Sequence, residues 1–90
     1  MTDPEKVRRG LQAQGIIENE VYREAWASLE RSKTEAWKNS TSITDRERLW
    51  FELNGLRSVK LELERLMAVG KEADKQIQRN ARGRTDRKLT

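Results

Sequence analysis

Apolar residues recur at helical spacing along most of the chain. Ile17, Val21, Ala25, Leu29 and Ala36 share one face at 100° per residue, which predicts a helix over 16–38. Tyr22, Trp26 and Trp37 fall on a neighbouring flank of that helix, so its apolar arc is too wide for a single neighbour. A longer series follows: Leu49, Leu53, Leu56, Val59, Leu63, Leu66 and Met67, then Gly70, Ala73 and Ile77. Its steps of three and four predict a helix over 45–78. Trp50, Leu61 and Ala68 form a minor stripe on its far side. Ahead of both, Thr2 or Asp3 with Pro4 and Glu5 makes a good helix start, and Val7, Leu11 and Ala13 support a short helix over 4–14 that Gly15 ends. That helix has too little apolar surface to stand without packing on something else.

The polar run Asn39-Ser40-Thr41-Ser42 breaks the pattern, and Thr44-Asp45-Arg46-Glu47 fits a capping box in which Thr44 and Glu47 exchange side-chain to backbone hydrogen bonds. A turn of about six residues forces antiparallel neighbours. The expected fold is therefore all-α: an antiparallel helical hairpin with a short N-terminal helix, oligomerising into a helical bundle. The helical domain is expected over 1–78, and the polar, Gly83-containing stretch 79–90 reads as frayed helix passing into a flexible, disordered basic tail. Gly70 permits a close helix crossing or ends the rigid part of the helix. Glu52 and Lys60, on the main apolar side, either make a buried polar contact or reach out to water.

Charge adds a direction to this picture. Residues 1–38 carry seven basic and seven acidic groups and residues 39–69 five of each, so the +4 of the chain sits entirely beyond Gly70. A basic end on a neutral body is where an acidic partner would dock. Arg79, Arg82, Arg84, Arg87 and Lys88 are the candidates for contact with nucleic-acid phosphates or an acidic protein; the bland alternative is a solubilising tail. With no aromatic residue to stack on bases, such binding would read little sequence.

Composition narrows the chemistry. Ninety residues, 38% of them charged, make one small domain whose own core is marginal, so self-association would help it. Cys and His are both absent, which removes disulfides, thiolate or imidazole metal sites and the usual nucleophile and base pairs. Glu20 with Glu24 and Glu62 with Glu64 are the closest acidic pairs, and each is flanked by Arg or Lys as on a solvated helix face. The expectation is a non-enzymatic protein with no cofactor and no metal. Trp26, Trp37, Trp50 and Leu61 are the candidate oligomer or partner interface, since large aromatics on a second face are costly to leave in water; the alternative is that the N-terminal helix covers one flank. No apolar stretch approaches a membrane span and the start lacks a signal-peptide core, so a cytoplasmic site without membrane contact is expected.

The run Gly15-Ile16-Ile17-Glu18-Asn19-Glu20-Val21-Tyr22-Arg23-Glu24-Ala25-Trp26, with Ala36-Trp37, Asp45-Arg46-Glu47-Arg48-Leu49-Trp50 and Met67-Ala68-Val69-Gly70-Lys71, resembles a group of small all-helical phage and prophage proteins over roughly residues 15–75. These motifs describe helix packing, and the resemblance assigns no catalytic or binding role to the matching positions. It implies a viral context: a host-cell or virion-associated accessory protein for virion assembly or DNA packaging. The expected function is thus a homo-oligomeric module whose basic tails contact DNA or an acidic partner. The alternative is an adaptor or inhibitor binding a phage or host protein through the face that carries Trp50, Leu61 and Ala68.

Overall fold

The computed structural model describes residues 1–89, with side chains through Gly83, and is all-α. Helix α1 spans Asp3–Glu18, α2 spans Glu20–Asn39 and α3 spans Ile43–Leu89. The chain divides into two compact units, one made of Met1–Gly15 with the chain from Leu63 onward, the other of Ile16–Glu62; the boundaries fall inside α1 and α3.

Each helix start is set by a short polar side chain. At α1, Thr2 and Glu5 form a reciprocal capping box: the Glu5 N–H donates to Thr2 Oγ1 and the Thr2 N–H to Glu5 Oε2, both at 3.4 Å. The break between α1 and α2 is a single residue, Asn19, with extended backbone (φ −64°, ψ 127°), whose Oδ1 accepts the Tyr22 N–H at 2.9 Å. This corrects the expected end at Gly15. No glycine has positive φ, so Gly15 forms no left-handed cap and costs only helix propensity, while Asn19 supplies an acceptor for an orphan N–H. Ser40 closes α2, and Ser42 caps α3 by accepting the Asp45 N–H on Oγ at 3.3 Å. The Thr44–Glu47 capping box is therefore also corrected. The helix begins two residues earlier on the same kind of pattern, Ser42 to Asp45, which leaves Thr44 inside the first turn.

Helix α3 runs through Gly55, Gly70 and Gly83 to Leu89, where a disordered tail was expected from Arg79. Its later turns contain good helix formers and no proline, and local side-chain bonds support them. Gln78 Nε2 donates to Asp74 Oδ2 at 3.0 Å, and Arg79 Nη1 donates to Gln76 Oε1 at 3.2 Å.

In the first unit, α1 crosses α3 backbone to backbone. A Cβ built on Gly70 would lie 2.9 Å from Gly10 Cα and 2.9 Å from the Lys6 carbonyl oxygen; one built on Gly10 would lie 2.9 Å from Gly70 Cα. Ala13 and Ala73 are buried with the two glycines. Gly70 thus serves the close crossing and does not end the helix.

In the second unit, Leu49 and Leu53 of α3 are buried, and α2 buries no residue completely. Lys33 Nζ donates to Glu52 Oε2 at 2.8 Å, and Arg57 Nη2 lies 3.8 Å from Glu30 Oε1. Arg46 sits 4.6 Å from the Trp37 ring centroid and Lys60 4.8 Å from that of Trp26. In these contacts the partner positions fall along α2 as they rise along α3.

The face of α2 turned to α3 is the expected one displaced by one residue. Tyr22, Trp26, Glu30 and Trp37 replace Val21, Ala25, Leu29 and Ala36, a rotation of about 100°. Val21 is left 70% exposed and Leu29 49% exposed. Two indoles and a phenol offer far more apolar area than valine, leucine and two alanines, so this rotation buries more, and it also places Glu30 and Lys33 opposite their ion partners.

Candidate association surface

Where α2 turns into α3, the short connection keeps three apolar side chains from α3 beside the last tryptophan of α2. Trp37, Ile43, Arg46, Glu47, Trp50 and Phe51 line an open groove of about 580 Å³. Ile43 is 77% exposed, Trp50 53% and Phe51 67%. The Trp50 and Phe51 rings stack edge to face, with centroids 5.3 Å apart and planes at 78°. Because Ser42 caps the helix, Ile43 stands at its first position, on the groove's lip. Arg46 covers one face of Trp37, which fixes that wall.

The expected interface residues separate in the structure. Trp50 is exposed and lines the groove, and Trp37 forms its inner wall, half-buried. Trp26 does not belong to it: its ring faces α3 beneath Lys60, because α2 is rotated by one residue step. Leu61 is exposed, but it stands eleven residues beyond Trp50 on α3 and lines no part of this groove. Ile43, Arg46 and Phe51 were missed. The adjacent pair Trp50-Phe51 was the available signal, since two large apolar neighbours cannot both face one helix partner.

Trp26 Nε1 and Tyr22 Oη are shielded from solvent with no hydrogen-bond partner among the described residues, so these rings contribute to the α2–α3 contact as apolar bodies. Glu52, which the sequence left between buried contact and solvent, receives both Lys33 and Arg48, at 2.8 Å and 3.1 Å, while staying partly exposed. The Lys33 hydrogen bond, with the charges of Lys33 and Arg48, holds its carboxyl below the ordinary value of 4.5, against a smaller opposing effect of desolvation. Lys60 is exposed and lies over the face of Trp26, which neither expectation included.

Of the expected basic contacts, Arg79 and Arg82 are exposed on α3; Arg84, Arg87 and Lys88 carry side chains that lie outside the described residues. Among the described residues, no group of three or more acidic side chains is placed to hold a metal ion, and no helix is long and apolar enough to cross a membrane. Compared with known protein families, with curated proteins and with solved structures, the chain matches none.

Proposed function

We propose that the protein is a non-enzymatic assembly module. It is a helical hairpin that self-associates into a bundle through the groove at its α2–α3 turn and presents its basic ends to DNA. In the phage context implied by the sequence resemblance, it acts as an accessory to virion assembly or DNA packaging. The observation that carries this reading is the exposed trio Ile43, Trp50 and Phe51 around Trp37. Aromatic clusters of this kind supply most of the energy at protein interfaces, because they bury large area with few rotamers to freeze.

A second copy of the chain is the occupant that the charges favour. Arg46 and Glu47 are neighbours on the rim, so the patch carries its own counter-charge. A two-fold contact sets each Arg46 against the other copy's Glu47 while the aromatic rings meet at the axis. Several basic ends are then held together, and weak single contacts gain avidity.

The test is sedimentation or light scattering over a range of concentrations, with the full chain and with Trp50→Ala/Phe51→Ala. The wild type is expected to exceed the 10.6 kDa of one chain and the double variant to fall to it. A wild type that stays at 10.6 kDa at high micromolar concentration overturns self-association, and a heterologous partner for the groove becomes the alternative.

A further inference from the structure

Resting on the reading that the basic end meets DNA, we infer that the contact is made by one rigid face of α3, the row Lys71, Lys75, Arg79 and Arg82, which docks on the phosphates of duplex DNA. The sequence places these residues at steps of four, four and three, and α3 is helical throughout. At 100° per residue all four fall within an arc of about 80°, centred about 140° away from Gly70 and about 160° away from Ala73, which face α1. The row is therefore turned to solvent, and all four side chains are exposed. Lys71, Lys75 and Arg82 make no ion pair among the described residues, while Arg79 is shared with Glu72 at 3.6 Å.

The chemistry of the face selects its partner. From Lys71 to Gly83 this side of α3 has no aromatic and no large aliphatic residue; Ile77 lies on the other side. A protein interface needs an apolar anchor at its centre, and this face has none. A phosphodiester backbone needs only cations at regular intervals. The row extends about 16 Å, and a duplex presents about one charge per 1.7 Å of its axis, so all four cations find phosphates without a change of shape. With nothing to hydrogen-bond base edges selectively and nothing to stack, binding is independent of sequence. Because the helix is already formed, little ordering entropy opposes the contact, in contrast to a flexible tail.

The experiment is a fluorescence-anisotropy titration of full-length protein with a labelled mixed-sequence duplex between 50 and 200 mM salt. It compares the wild type, Lys71→Gln/Lys75→Gln/Arg82→Gln and Arg84→Gln/Arg87→Gln/Lys88→Gln, with circular dichroism to check that helix content is kept. The first triple variant is expected to flatten the slope of log K against log[salt] by about 0.9 per cation removed, about 2.7 in all. The second should flatten it by less. If the second variant flattens the slope and the first does not, DNA binding stands and the face is wrong. If the wild type binds no duplex at 50 mM salt, both the face and the DNA reading fail. If poly-L-glutamate binds as tightly as the duplex at equal charge, an acidic protein is the partner and the phosphate assignment is overturned.

Discussion

Around Gly70, α3 meets α1 through the absence of side chains; around Leu53, α3 meets α2 through side chains long enough to bridge a gap. In the first unit the contact surface is glycine against glycine, with the buried alanines Ala13 and Ala73. In the second, α2 contributes half-buried Tyr22, Trp26, Lys33 and Trp37, while the buried positions are Leu49 and Leu53 of α3. The first contact depends on fit and tolerates no added atom. The second depends on chemistry and on the total area of large rings, so it can absorb change. One helix can therefore carry a rigid joint and an adaptable one, each set by the size of the residues at the crossing.

The sharpest way to break the contrast is at the glycines. Gly70→Val places side-chain atoms where the backbone of Gly10 already lies, and should cost about 3 kcal/mol in urea unfolding. Gly55→Ala, with nothing within 4 Å of the added Cβ, should instead gain up to about 1 kcal/mol from helix propensity. Equal effects at the two sites would mean that the close crossing does not exist.

A smaller effect probes the second unit. Tyr22→Phe removes a hydroxyl that is shielded from water and has no hydrogen-bond partner among the described residues, so the variant should match the wild type or exceed it by up to about 1 kcal/mol. A clear loss of stability would show that the hydroxyl is engaged, and that the ring is more than an apolar body.

The smallest effect is pH dependence confined to the second unit. The Glu52 carboxyl is held below its ordinary value of 4.5, so the folded state favours the charged form. Its contribution is complete above that value and is lost as pH falls through the depressed one. Residue-resolved hydrogen exchange, corrected for intrinsic rates, should show protection near Leu53 falling in acid while protection near Gly70 does not. Glu52→Gln should remove the difference between the two regions. A response in Glu52→Gln equal to that of the wild type would assign the pH effect to another group.

Much of this was legible in the residues. On α3, Leu49, Leu53, Gly70 and Ala73 of the expected face are buried, because residues at steps of three and four turn one side of a helix toward a neighbour, while Val59 and Ile77 of the same series are exposed. The α2 face was misread by one residue. Two candidate stripes lay side by side there, and a periodicity count weighs Val21 and Tyr22 alike although their buried areas differ greatly. Of the residues that line the groove, Trp37 and Trp50 are among the expected interface candidates and Ile43, Arg46 and Phe51 are not. Their meeting depends on where α3 begins, and both Ser42–Asp45 and Thr44–Glu47 satisfy the same capping pattern.

The residues alone are enough for an all-α chain, for helices α1, α2 and α3, for the buried positions Leu49, Leu53, Gly70 and Ala73 on the longest of them and for the concentration of positive charge at one end. These follow from local rules of spacing, propensity and charge count, which need no knowledge of a neighbour. The rotation of α2, the use of Gly10 and Gly70 as a crossing point and the gathering of Ile43, Trp50 and Phe51 beside Trp37 arise only from packing between helices. Each of these depends on which of two comparable surfaces buries more against a second helix, and that comparison has no value until both helices are in place.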